Sequence, residues 1–283
     1  MTEHSFSDLK NKVCVITGGA GVIGQAICEA LASKGVKLAI LDVNDNAANK
    51  AADRLTGKYK VDCIGVQTSV LDIESLRNAK AVVNNRLGKV DFLINAAGGN
   101  APEATTQVEQ ITSDHVEEME KSFFGLELSG FDKVFALNFT GTLLPSMVFA
   151  RDMLKRRKGV ILNISSMNSF RPLTKIPAYS AAKASVNNFT QWLSVHLAKM
   201  GVRVNAVAPG FFLTNQNRFL LTDEKTGKPT PRGEKIISNT PMGKYGKPED
   251  LQGAILFLLS ELSDFITGVV LPVDGGYSAF GGV

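Results

Sequence analysis

The chain has 283 residues, 44% of them apolar, which suffices for one large α/β domain and does not call for a second. Its formal charge of +4 comes from 31 basic and 27 acidic residues spread along the chain, a balance that excludes a nucleic-acid stripe and leaves small anions as ligands. The polar N-terminus, the lack of an apolar run near the ~20 residues that cross a bilayer, and three cysteines (Cys14, Cys28, Cys63) without ligand-like spacing point to a reduced cytoplasmic protein. No signal peptide and no membrane span are expected.

Residues 13–17 predict a short apolar strand that runs into TGGAGVIG (17–24) and then a helix over 25–34. Strand, glycine turn and helix in this order suit a dinucleotide. The glycines let the backbone approach a pyrophosphate, and the helix N-terminus offers free N–H groups and a positive dipole end. A second strand over 36–41 is closed by Asp42, at the distance where an acid binds a ribose 2′-hydroxyl and repels a 2′-phosphate. Neither the turn nor Val43-Asn44 supplies a base for that phosphate, so NAD(H) is favoured over NADP(H). A helix N-cap is the other use for Asp42.

A helix around 47–55, a strand near 61–67, a helix over 73–87 and a strand over 90–95 follow. The alternation predicts a parallel, doubly wound sheet with helices on both faces. NAAGG (95–99) has the small residues that let a flat ring or ribose pass the backbone, or that make an ordinary turn. Residues 100–126 carry six acids against Lys121 and read as a lid, a binding loop or a solvated insertion. A long helix over 131–154 holds Asn138 and Pro145, and the proline predicts a kink near itself. Asn138 beside that kink either holds a water within the site or is a plain surface amide.

The densest chemistry lies in GVILNISSMNSFRPLTKIPAYSAAK, residues 159–183. A buried strand over 159–165 leaves Ser166 at its end, and a helix over 178–199 puts Tyr179 and Lys183 at i and i+4 on one face. A free phenol, with a pKa of about 10, is a poor base at neutral pH unless a cation stabilises its anion. Lys183 is placed to do so, and Ser166 to hold a substrate oxygen while Tyr179 moves the proton. Taken alone, a Tyr and a Lys one turn apart are as readily an amphipathic surface pair.

A strand over 202–207 ends in APGFFLT (208–214). Residues 215–247 read as a mobile polar flap with Arg218, Lys225, Lys228, Arg232 and Lys235, and one or two of these, or Arg171, could receive a carboxylate. A helix over 248–259 and a strand over 269–273 complete seven strands. His4, His115 and His196 lie far apart, and no metal site is expected.

In this order the pieces resemble the short-chain dehydrogenase/reductase family over residues 8–283: NAAG at 95–98, the interval from Ser166 to Tyr179, YSAAK at 179–183 and NAVAPG at 205–210. The resemblance implies one Rossmann-type domain and a catalytic set of Asn138, Ser166, Tyr179 and Lys183. Lys183 would also hold the nicotinamide ribose, Asn138 a proton-relaying water, and Thr214 the carboxamide. Cofactor contacts are implied at Gly18, Gly21, Val22, Ile23, Gly24, Asp42, Val43, Ser69 and Val70. They continue at Asn95, Ala96, Ala97, Gly98, Pro209, Gly210 and Phe212. Two features depart from the pattern: Val22 stands where the family's TGxxxGxG has its middle glycine, and Ser69 replaces the acid that caps the third strand.

Within the family, AAGGNAPEATT (96–106), QNRFLL (216–221), TPMGKYGKPEDL (240–251) and the tail PVDGGYSAFGGV resemble the D-mannonate oxidoreductase (fructuronate reductase) group. That implies NADH-dependent reduction of a keto-uronate, with Asn100, Asn168, Arg171 and Arg218 as substrate candidates and a homodimer or homotetramer packed through 131–154 and 178–199. A polyol or ketose dehydrogenase, and a non-catalytic nicotinamide sensor, are the competing readings.

Overall fold

The computed structural model describes residues 6–214, 218–223 and 226–282, so His4, Lys225, and Gln216 and Asn217 of QNRFLL lie outside the described residues. Seven strands form one parallel sheet: β1 (Val13–Thr17), β2 (Lys37–Asp42), β3 (Cys63–Gln67), β4 (Phe92–Asn95), β5 (Gly159–Ile164), β6 (Val202–Pro209) and β7 (Val270–Val273). β1 and β5 are buried along their whole length, as expected of strands covered on both faces, and this is why they read as unbroken apolar runs. The spatial order is β3-β2-β1-β4-β5-β6-β7. The chain builds outward from β1 and then returns to its other side, which opens a crevice at the carboxyl ends of β1 and β4.

The helices are α1 (Val22–Ser33), α2 (Asp45–Tyr59), α3 (Ile73–Arg86), α4 (Leu128–Phe135), α5 (Gly141–Arg156), α6 (Pro177–Ala198), α7 (Arg218–Leu221), α8 (Pro231–Ser238) and α9 (Gln252–Leu259). Alternate residues of β1 serve opposite layers. Cys14 and Ile16 pack with Ile27 of α1, Leu55 of α2 and Ile255 of α9. Val13 and Val15 pack with Leu76 of α3, Phe149 of α5 and Leu193 of α6. The cysteines are free, Cys14 and Cys28 fully buried, and burial pushes both thiols up.

Pro145, where a kink is expected, sits inside α5, and the irregularity among the described residues of this stretch is a π-turn at Ala136–Thr140. There Nδ2 of Asn138 donates back to Val134 O at 2.8 Å and across to Gly99 O at 2.7 Å, and Thr142 Oγ1 donates to Asn138 O at 2.8 Å. π-turns of this kind often mark functional positions.

Residues 100–126 fold into short 3₁₀ turns, Pro102–Ala104, Ser113–Lys121 and Phe123–Gly125. Thr112 and His115 cap the second of these reciprocally, which gives His115 a structural place. The segment is tied to the loop before α6, through Thr106 N to Lys175 O at 2.9 Å and Lys175 Nζ to Gln107 O at 2.7 Å. The predicted flap holds two helices, α7 and α8, the second capped by Thr230 Oγ1 accepting from Gly233 N at 3.1 Å. The helical segments over 113–156 contain a window long and apolar enough to cross a bilayer, but half of it is buried inside the protein, as the core helix α5 requires.

Phe149 is fully buried between sheet and helix. Phe149→Ala is expected to lower the unfolding free energy by about 3–5 kcal/mol in urea titration, whereas Phe265→Ala, at a fully exposed ring, stays within about 0.5 kcal/mol.

Candidate active site

The crevice is a cleft of about 610 Å³ at the carboxyl ends of the central strands. Gly18, Gly21, Val22, Ile23 and Gly24 form one wall. Asp42, Val43 and Val70 close one end, and Ala96, Ala97 and Gly98 form the floor. Ser166, Tyr179 and Lys183 face Pro209, Gly210, Phe212 and Thr214. Gly99, the end of the NAAGG stretch, also lines it, as do Leu137, Ile164, Ser165 and Phe211, which sequence reasoning did not single out.

Two close approaches fix the glycine turn. Gly18 has φ +62° and a Cβ there would meet Ala97 Cα at 2.8 Å; a Cβ on Gly24 would meet Gly18 O at 2.4 Å. Gly21 is the N-cap of α1 in extended conformation, so Val22 begins the helix without strain and the shifted glycine spacing is accommodated. With glycine as cap, no side chain satisfies the first-turn N–H groups of α1. They are left to an anion, as a pyrophosphate site requires.

Asp42 accepts from Asn44 N at 3.1 Å and from Ala20 N at 3.3 Å, bridging the end of β2 to the glycine turn. It is not the cap of α2: Asn44 is, accepting from Ala47 N at 3.0 Å. Among the described lining residues the only side-chain cation is Lys183, so the Asp42 end has no base for a 2′-phosphate. Thr17, unremarked in the sequence, is fully buried, and its Oγ1 accepts from Ala96 N at 3.1 Å and Ala97 N at 3.2 Å.

Lys183 is 4% exposed and donates from Nζ to Ile164 O at 2.8 Å. Desolvation pulls its ammonium down to about 8. Its Nζ lies 5.7 Å from the centre of the Tyr179 ring, as the i, i+4 spacing predicted. Burial pushes the Tyr179 phenol up, and the neighbouring Ser166 hydroxyl opposes that shift by hydrogen bonding. Ser166 Oγ also accepts from Asn168 N at 3.2 Å. Asn138 is fully buried and clamps Gly99 from both sides, giving Nδ2 to its carbonyl and receiving its N–H at 3.3 Å. It lies against Gly98, where a Cβ would meet Asn138 Oδ1 at 2.8 Å and Lys183 Nζ at 3.2 Å.

Several expected site residues lie elsewhere. Ser69 does not line the cleft; its Oγ accepts from Leu71 N at 3.3 Å and its N–H donates to Ser75 Oγ, shaping the turn after β3. Asn95 is turned into the sheet, giving Nδ2 to Ser146 Oγ at 3.0 Å and Asn163 Oδ1 at 2.8 Å. Asn100 holds Thr105 Oγ1 at 2.8 Å, and Arg171 holds Phe280 O of the C-terminal tail at 2.5 Å. Asn168 is buried beside Ser166, and Arg218 is exposed on α7; none of these four lines the cleft.

Comparison with known proteins agrees with this geometry. The family model described as enoyl-(acyl carrier protein) reductase matches residues 18–278. An uncharacterized oxidoreductase of Haemophilus influenzae is 49% identical over 280 residues, 98% of this chain and 96% of that protein. A second uncharacterized oxidoreductase, from Bacillus subtilis, is 48% identical and spans 98% of each chain. A crystal structure of a Haemophilus influenzae protein named as a candidate D-mannonate oxidoreductase, with bound NAD, superposes with a TM-score of 0.92 at 48% identity, covering 98% of this chain and 99% of the other.

The depressed Lys183 ammonium has a stability consequence of definite sign. Below pH 8 the folded protein carries a buried charge that the unfolded chain solvates; between about 8 and 10.5 the folded state sheds its proton first, and the penalty disappears. Relative to Lys183→Met, the wild type should therefore gain about 3 kcal/mol of unfolding free energy between pH 7.5 and pH 10.5, measured by denaturant titration of both proteins.

Proposed function

We propose, from the premise that the chain belongs to the short-chain dehydrogenase/reductase family, that it is an NAD(H)-dependent oxidoreductase interconverting D-mannonate and D-fructuronate. The observation that carries the reaction type is the meeting of Ser166, Tyr179 and Lys183 in the cleft beside the uncapped N-terminus of α1. The substrate reading is supported by the match to the NAD-bound relative and by the cations Lys235, Lys175 and Arg232 gathered around Glu109.

Bound NADH supplies the hydride that the carbonyl carbon receives. The first turn of α1 receives the pyrophosphate, and Asp42 accepts from the adenine-side ribose hydroxyls while repelling a 2′-phosphate. Lys183 would hold the nicotinamide ribose and, as a cation, lower the cost of a Tyr179 phenolate. Thr214 would anchor the carboxamide. Ser166 orients the substrate oxygen, and Tyr179, kept protonated at neutral pH by its burial, gives its proton to that oxygen in the reducing direction. Asn138 fixes the Gly98–Gly99 turn against Lys183 and holds the water through which that lysine exchanges protons with solvent.

Copies of the chain associate as a homodimer or homotetramer through the outer faces of α5 and α6, where Met147, Trp192 and Val195 are 54%, 56% and 79% exposed. The free Cys14 and Cys28 suit a reducing cytoplasm.

NADH consumption is to be compared with D-fructuronate, D-tagaturonate, 5-keto-gluconate and fructose. A marked preference for fructuronate is expected; turnover of fructose alone would keep the reaction type and discard the sugar acid in favour of a ketose. Tyr179→Phe should lose about 10²–10⁴-fold in kcat with NADH affinity retained in fluorescence titration, and near-normal turnover would sink the mechanism. Asp42→Ala should weaken NADH binding about tenfold and narrow the preference over NADPH.

A further inference from the structure

A substrate carboxylate needs a receiver, and the cations of the flap and the central loop meet a carboxylate that the chain supplies itself. Glu109 of the 100–126 segment forms an ion pair with Lys235 of α8, bringing together residues 126 apart in sequence. That pair, with Lys175 and Arg232 adding to it, holds the Glu109 carboxyl below its ordinary range. Lys175 lies four residues before Tyr179 and is fastened to the same segment through Gln107 O.

Contacts lead from this cluster to the reacting groups. Met242, four residues past α8, donates its N–H to Gly275 O at 3.1 Å, and Arg171 donates to Phe280 O, so the end of α8 and Arg171 meet the tail on either side of Tyr277 in the chain. Tyr277 meets Phe211 edge-on, with centroids 5.3 Å apart, and Phe211 lines the cleft with Ser166 and Tyr179. Arg171 is held in place by Phe280 O, so its guanidinium is oriented before any ligand arrives.

We infer that Lys235, aided by Arg171, is the receiver of the substrate carboxylate, and that Glu109 is a stand-in that occupies Lys235 until the substrate displaces it. The inference rests on the sugar-acid reading. Exchange of one carboxylate for another keeps Lys235 paired throughout. A keto acid already held at Ser166 presents its carboxylate at high local concentration, and it competes with a pair whose side chains are 63% and 44% exposed and therefore weakly bound. An uncharged ketose has nothing to exchange and leaves Glu109 in place.

The test is the ratio of kcat/KM on D-fructuronate to kcat/KM on fructose, measured for the wild type, Lys235→Met, Lys235→Arg and Glu109→Gln, each first shown by titration to bind NADH. Lys235→Met should lower the ratio about tenfold to a hundredfold, the range of a charge-assisted hydrogen bond, and Lys235→Arg should restore most of it. Glu109→Gln should raise the ratio about two- to fivefold, the range of an exposed ion pair. Opposite signs distinguish exchange from a simple tether between the acidic segment and the flap, because loosening a tether from either end moves the ratio the same way. If the wild type prefers fructuronate and the two variants shift the ratio together or leave it alone, the exchange is overturned while the sugar-acid reading stands. If the wild type shows no preference for the acid, that reading fails and takes the exchange with it.

Discussion

Two hydrogen bonds to one buried hydroxyl set the geometry on which the site depends. Thr17 Oγ1, at the end of β1, receives the N–H groups of Ala96 and Ala97 just past the end of β4. The two strand ends are thereby drawn together at the point where the sheet order reverses, until Gly18 touches Ala97 so closely that no side chain fits between them. Gly98 then falls against Asn138 and Lys183, and Asn138 can reach Gly99 only because its helix opens into a π-turn. A helix distortion, a glycine turn and a buried lysine thus meet around one strand-end contact. Each would be costly alone, and together they satisfy one another's polar groups.

How much of this was legible in the sequence depends on whether a signal is local. The strands were, because a strand buried on both faces must be a short apolar run, and the facing of Tyr179 and Lys183 follows from four residues of helix. The π-turn was not: Pro145 announces its own missing N–H, but the side chain of Asn138 finds its partner at Gly99, 39 residues away. Asn95 and Ser69 went astray for a related reason. An amide or hydroxyl at a strand end can face the ligand or the sheet, and only Ser146 and Asn163 for the one, and Ser75 for the other, decide which. Arg171 was singled out as a loop cation, yet what orients it is a tail carbonyl 109 residues on.

The charged groups of the site fall into two electrostatic regimes. Lys183 is buried and Tyr179 half-buried, and desolvation bends the proton affinities of both. Such groups give a fixed reactivity, and both stand on α6, a core helix that cannot move without exposing apolar surface. Glu109, Lys235 and Arg171 stand on segments joined to that frame by a few surface hydrogen bonds, where a charge pair is screened and exchanges easily.

This division has a chemical reason. In the proposed reaction the proton given by Tyr179 would go to whichever carbonyl oxygen lies beside Ser166, and nothing in that step would depend on what the rest of the substrate carries. Selectivity between a keto acid and a ketose must therefore come from groups far enough from the carbonyl to leave the proton transfer unchanged, and loose enough to admit the substrate before they close on it. A buried counter-charge for the carboxylate would hold its own partner too tightly to release it and would leave a costly orphan when it did. An exposed pair of the kind formed by Glu109 and Lys235 costs little to open, so recognition can be added to the catalytic frame without disturbing it.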